Sequence, residues 1–463
     1  MDNVNHRLAN DLWLEIPWAG LLLTIYITAL FIRVITSWLT NPSLRRRGRI
    51  ISALLLLPSM ILLASVSWHN WPMVKPQTPN ADYQLPALLP GDTASGDELE
   101  AWLDHRSELL QLFADTLYGH SPLQKPAVST QLHEVATPIL NGLGTRHQTS
   151  LELERNGHKI TIDILAYLPR QATAIFLMAN FNGNQSLSAD PAIRLASSWL
   201  PNDRLNGLID HRATATSRGV AAAQWPLDTI LGAGYGLVSF YYGDVAADRI
   251  DALNRLHALY PDKQTPGAIG AWAWAYQRVL DQLLTNDSLR ETPIIAAGHG
   301  LMGKAALWAA AQDDRFAAVV SNNSGSLGAA LSRRQYGETI ADINRHFPWW
   351  LAPGAASFSA REDELPIDQH QLLALIAPRP LYIASASEDR LADPEGEFLA
   401  AVAASEAYRW YGLSGIGEQA MPYPHEPTGD RLRYHLRRGH HGVTLYDWQQ
   451  WLAYFDTIYR EQR

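Results

Sequence analysis

The stretch I-I-A-A-G-H-G-L-M-G-K-A-A-L-W-A-A-A-Q, Ile294–Gln312, decides how the rest of this chain is read. Its first residues form a short apolar run, and its last nine are dominated by Ala and Leu, which favour helix. The pattern predicts a buried strand, a tight glycine turn over Gly298–Gly303 and a helix starting near Leu301. Strand–turn–helix units of the form G-x-S-x-x-G hold a nucleophilic serine on a strained turn. Here the serine's position is filled by Gly300. The functional question is whether such a scaffold still does chemistry without its attacking oxygen.

Composition narrows the classes. With 463 residues, 47% apolar content and 16 Trp, the chain can bury the core of one large α/β domain and carry additional segments. A net charge of −9 argues against general nucleic-acid binding, which needs a basic footprint. The absence of cysteine excludes disulfides, thiolate metal sites and a cysteine nucleophile.

The N-terminal residues read as a membrane anchor. After a tail over 1–15, an uncharged run from Ile16 to Ile32 continues past Arg33 to Leu39. A second run spans Ile50–Trp68, and each is long enough to cross about 30 Å of hydrocarbon. Trp18, Trp38 and Trp68 lie near the ends, where interfacial aromatics belong. The loop 40–49 carries Arg45, Arg46, Arg47 and Arg49, so the positive-inside rule places it in the cytoplasm. The expectation is a multi-pass protein of the bacterial inner membrane, with its large C-terminal domain on the periplasmic side. A cleaved signal over Arg45–Ser67 and a buried core hairpin are the alternative readings. Residues 69–96, with five prolines from Pro72 to Pro90, read as an extended linker, and 97–463 as the folded domain.

Within that domain an amphipathic packing helix is expected from Asp97 to Gly119. Strands are expected at Ser150–Glu154, Lys159–Leu168, Ala174–Ala179, Gly236–Tyr242, Pro293–Ala297, Ala317–Asn322 and Pro380–Ser385, with a helix at Ala268–Leu284. Strands alternating with helices predict an α/β fold with a mainly parallel sheet.

A series of motifs, in order, carries a family resemblance. They include F-N-G-N at Phe181–Asn184, R-G-V-A-A-A-Q-W-P from Arg218 and Y-Y-G-D at Tyr241–Asp244. The turn at Gly298–Lys304, A-L-S-R-R-Q-Y-G-E-T from Ala330, E-D-R-L-A-D-P-E-G from Glu388 and G-H-H-G-V-T-L-Y-D-W ending at Trp448 complete the series. From about Tyr83 onward the chain resembles the glucuronoyl esterases, in particular their bacterial branch. The resemblance implies an α/β-hydrolase three-layer sandwich and serine-type cleavage of esters between 4-O-methyl-glucuronic acid of xylan and lignin alcohols.

It also implies site residues. His441 matches the catalytic histidine, and Asp389 stands at one of the two places where the family puts the triad acid. The other place holds Asn323, which cannot act as a carboxylate. Lys304 and Glu338 match residues that contact sugar hydroxyls. Gly300 replaces the serine, Leu301 replaces an arginine that helps hold the oxyanion, and Leu391 replaces a tryptophan lining the sugar pocket. A serine triad needs oxygen, base and acid together, and this chain offers candidates for the last two only.

Other residues read as structural. Ser321, Ser324 and Ser326 lie beyond the strand that follows the elbow and read as turn residues, and His299 as a packed histidine. The His425, His435, His440 and His441 spacing matches no usual zinc pattern. Most Trp residues, including Trp272, Trp274, Trp308, Trp349, Trp350 and Trp410, sit in apolar stretches and read as core. No metal or cofactor is expected.

The leading expectation is a membrane-anchored, catalytically degenerate domain that binds a uronate or sugar through Lys304 and Glu338. Its partners would be the lipid bilayer and a small-molecule or polysaccharide uronate, with no nucleic acid. An active ester hydrolase using a non-standard nucleophile or a His441-activated water is the enzyme-class alternative. A structural membrane scaffold is the third.

Overall fold

A computed structural model describes residues 79–91, 93–94, 96–261 and 266–460. The expected spans at 16–39 and 50–68 and the loop between them lie outside the described residues. No helix among the described residues is long and apolar enough to cross a membrane. The compact unit runs from Pro79 to Arg463, so it begins inside the stretch read as linker. Asn80 N–H donates to the Arg334 carbonyl at 2.8 Å, and the carbonyls of Pro86 and Ala87 take bonds from His370 and Gln371.

The centre is a ten-stranded sheet. Its main strands in chain order are β1 (Ala127–Ile139), β2 (Gly144–Arg155), β3 (His158–Leu168), β4 (Ile175–Asn180), β5 (Gly236–Tyr241), β6 (Ile294–His299), β7 (Ala318–Asn322), β8 (Leu381–Ala386) and β9 (Leu432–Arg437). Spatial order is β1-β2-β3-β5-β4-β6-β7-β8-β9, closed by a two-residue strand at Thr428–Gly429. The first four neighbours pair antiparallel, and β5 through β9 pair parallel. All six residues of each of β4, β5, β6 and β8 are buried, as expected of parallel strands covered on both faces.

The principal helices are α1 (Glu98–Phe113), α2 (Ala268–Leu283), α3 (Leu301–Gln312), α4 (Pro394–Trp410) and α5 (Leu445–Tyr459). Trp448, Trp451 and Phe455 of α5 pack with Phe176, Leu237, Ile295, Val320 and Tyr382 on one face of the sheet. Helices α2, α3 and α4 cover the other. This is the mainly parallel α/β architecture expected. The predicted Asp97–Gly119 helix is real but changes pitch, ending in a five-residue π turn at Ala114–Tyr118 whose residues are mostly buried. Strand β1 and the segments forming β9, α4 and α5 were not among the expected elements.

Candidate active site

The site forms where β6, β7 and β8 end, the crevice in which open α/β sheets place ligands. Strand β6 ends at His299, Gly300 turns with φ 53° and ψ −122°, and α3 begins at Leu301. Positive φ favours glycine, so Gly300 holds a conformation that strains any other residue. Gly298 is required for a different reason. A Cβ there would lie 2.1 Å from the Met302 carbonyl oxygen, so the helix could not fold back so closely on its strand. The turn is pinned by Gly300 N–H donating to the Asn322 carbonyl at 2.8 Å.

Opposite the turn stands His441. Its Nδ1 lies 2.6 Å from Asp389 Oδ2, which makes Nδ1 the protonated nitrogen and leaves the Nε2 lone pair free. A Cβ built on Gly300 would lie 3.0 Å from that Nε2. The base is therefore aimed at the place from which a nucleophilic oxygen would project. Asn323 donates its amide to the same Asp389 Oδ2 at 2.9 Å. The amide steadies the carboxylate that holds His441, whereas a second carboxylate at that position would repel it.

The loop carrying His441 is held by groups that the sequence reading passed over. Arg437 donates from Nη2 to the carbonyls of His440 and Gly442, at 2.9 and 2.7 Å, on either side of His441. Its Nε binds Asp447 at 2.9 Å, and Asp447 also accepts from His435 at 3.0 Å and caps α5 together with Thr444. Burial opposes ionisation of Asp447, but His435, Arg437 and Thr444 outweigh it and hold the carboxyl below its ordinary range. Asn322 links this group to the turn, with Oδ1 2.7 Å from His299 Nδ1 and Nδ2 reaching Asp447 at 3.4 Å. The T-x-x-D spacing of Thr444 and Asp447 is a helix-start signal, and it was the available clue.

Lys304 and Glu338 do come together, with Nζ and Oε2 3.7 Å apart. Lys304 is buried in the fourth position of α3 and donates to the carbonyls of Ser324 and Ser326 at 2.7 and 2.6 Å. Burial lowers its pKa, against the opposing pull of Glu338, Glu397 and Asp389. Glu338 is partly exposed, and its backbone N–H binds the carbonyl of Leu391 at 3.1 Å, which brings Leu391 to this side of the cleft.

Of the three serines read as turn residues beyond the strand, Ser321 lies within β7, and its hydroxyl and that of Ser324 are committed elsewhere. Ser321 donates to Ser324 at 2.7 Å, and Ser324 donates to the buried Glu397 at 3.3 Å. Burial pushes the Glu397 carboxyl up to about 8, despite bonds from Ser385 and the Gly325 N–H. His299 is buried, its ring centroid is 4.2 Å from that of His441, and desolvation holds its pKa well below the ordinary value. Phe181, from the F-N-G-N loop after β4, meets the edge of His299 at 6.3 Å. His440 is exposed and pairs with Glu388, and His425 packs on Tyr446. Among the described residues no group of three or more His, Asp or Glu is placed to hold a metal ion.

The assembled geometry is that of an acyl-transfer site with base, acid and turn in place and no nucleophilic oxygen on the turn. Comparison with known proteins relates the chain to esterases. The family described as "Glucuronyl esterase, fungi" matches residues 213–412. Carbohydrate esterase MZ0003, from an unknown prokaryotic organism, is 36% identical over 420 residues, covering 86% of this chain and 96% of that protein. The solved glucuronoyl esterase from Solibacter usitatus superposes with a TM-score of 0.72 at 36% identity, covering 81% of this chain and 97% of its own. A promiscuous CE15 esterase from the marine bacterial metagenome gives a TM-score of 0.75 at the same identity and coverage.

Proposed function

This chain belongs to the glucuronoyl esterase family, and on that premise we propose that its folded unit binds a glucuronate-bearing carbohydrate without forming an acyl-enzyme. The observation that carries the reading is at Gly300. The turn has φ 53° and ψ −122° at Gly300, between the end of β6 and the start of α3, and the atom nearest its missing Cβ is the base itself, His441 Nε2 at 3.0 Å. No side-chain oxygen stands on the turn to attack a carbonyl. The ligand contacts are assigned to Lys304 and Glu338. Anchoring in the bacterial inner membrane through residues 16–39 and 50–68, with the folded unit outside the cytoplasm, is part of the same proposal.

A second reading is favoured by the intact 2.6 Å bond between His441 and Asp389. Water bound at Nε2 would attack the ester carbonyl as Nε2 takes its proton, and the proton would then pass to the departing alkoxide. Without a positioned nucleophile such activity is expected to be feeble, and Leu301 supplies no charge to the oxyanion.

Calorimetric titration with glucuronate and with methyl glucuronate tests the proposal. Binding of at least one is expected, weakened at least ~10-fold in Lys304→Ala and in Glu338→Ala, as suits the loss of a charge-assisted hydrogen bond. Repeating the titration on sealed right-side-out vesicles carrying the full chain checks the orientation, since externally added ligand must reach the site. Silence with both ligands at millimolar concentration removes the binding reading. Turnover of the methyl ester that vanishes in His441→Ala replaces it with the water mechanism.

A further inference from the structure

The two edges of the sheet are built differently. On the β9 side the sheet ends in the two-residue strand Thr428–Gly429, too short to template another chain. On the other side it ends in β1, thirteen residues long, which pairs only with β2 among the described residues. Val128, Leu132 and Val135 of β1 are exposed, as are Leu123, Leu140 and Leu143 beside it. Proteins blunt such edges with lysine, proline or bulges. Here two register slips, between Leu132 and Thr137, distort only the distal half. The regular half, Ala127–Leu132, contains no Lys, Arg, Asp, Glu or Pro.

We propose that this half of β1 is the interface through which two copies of the chain pair, antiparallel and edge to edge about a two-fold axis at Thr130. The sequence A-V-S-T-Q-L-H is self-complementary in that register. Val128 faces Leu132 of the partner subunit twice, and Thr130 faces itself, all on one side of the strand. That side continues the sheet face on which Val128 and Thr130 lie opposite the buried Leu153 and Leu151. Charge fits as well. Lys125 precedes the segment and Glu134 follows it, so antiparallel pairing sets the basic end of each strand by the acidic end of the other. Both ends keep their own counter-ions, Asp281 at 3.2 Å from Lys125 and Arg146 at 2.8 Å from Glu134, so pairing strands no charge. Two copies related in this way form an isologous contact that closes on itself and does not propagate.

The chain has no cysteine, which makes the test clean. Residues facing one another across an antiparallel pair have Cα atoms about 4.5–5.5 Å apart, within disulfide range. The full-length Thr130→Cys variant in its membrane is expected to give most of the chain as a covalent dimer under mild oxidation. Ser288→Cys, at another exposed position, reports random collision and should give several-fold less. Adding Leu132→Lys to Thr130→Cys should reduce cross-linking to the Ser288→Cys level. Cross-linking of Thr130→Cys no greater than that of Ser288→Cys, or unmoved by Leu132→Lys, overturns the proposal. Melting temperatures of the variants identify any that fail to fold, and Val128→Lys then takes the place of Leu132→Lys.

Discussion

The turn at Gly300 and the loop carrying His441 face each other across one cleft, and they differ in what holds them. The turn is a backbone object. Its shape comes from the dihedrals of Gly300, the close approach at Gly298 and one bond to the Asn322 carbonyl, none of which needs a serine side chain. Its chemistry rests on a single oxygen, and glycine relieves rather than adds strain at that point. The His441 loop is a side-chain object. It is tied by Arg437 and Asp447, and Asp447 also completes the capping box of α5 and satisfies the buried His435. Chemistry on the turn side can therefore disappear without cost to the fold, whereas the other side is bound up with stability. The His441–Asp389 bond sits on that second side and is not by itself a sign of turnover.

The strongest way to break the comparison is to rebuild the turn. Gly300→Ser together with Leu301→Arg is expected to raise hydrolysis of methyl glucuronate by ~10³-fold or more, the scale on which a missing triad member is felt. A Cβ at Gly300 makes a 3.0 Å contact with Nε2, so His441 must withdraw by a few tenths of an ångström. No gain in initial rate, with the fold intact by circular dichroism, means the cleft differs from an active one at more than these two positions.

The next effect is on stability and belongs to the other side. Asp447→Ala takes the shared carboxylate from Arg437 and His435 and removes half of the capping box of α5, and is expected to cost roughly 3–5 kcal/mol, as for one partner removed from a buried ion pair. Gly300→Ala should cost clearly less in the same urea titration. Equal costs would erase the distinction drawn between the two sides.

A smaller effect lies beneath the loop that holds Lys304. Glu397 keeps its proton up to about pH 8 in the folded protein, while an unfolded chain releases it near 4.5. Between those values the unfolded state binds fewer protons. Stability therefore falls as pH rises through that window, by at most about 1.4 kcal/mol per pH unit; the contribution is fully present below the window and gone above it. Glu397→Gln should flatten that part of the stability–pH curve. A wild-type curve that already runs flat from pH 5 to 8 contradicts the protonated state assigned to this carboxyl.

Much of the scaffold was legible because its signals are local. The apolar runs at β4, β5, β6, β7 and β8 lie within a residue or two of their expected bounds, since fully buried parallel strands read as continuous apolar stretches. Strand β1 escaped because most of its residues are exposed and show no alternation. Strand β9, L-R-Y-H-L-R, escaped because it buries Arg437 and His435 in a polar network that hydropathy cannot register.

By itself the sequence determined the α/β order, the glycine turn and the absence of an oxygen at residue 300, because these depend on near neighbours and on residue identity. Only the tertiary structure decided that Asp389 meets His441 across 52 positions, that Asn323 serves the acid whose role it cannot fill, and that Arg437 and Asp447 hold the loop between them. The contacts among Asn323, Asp389 and His441 join the ends of separate parallel strands, and no periodicity along a chain encodes which ends will meet.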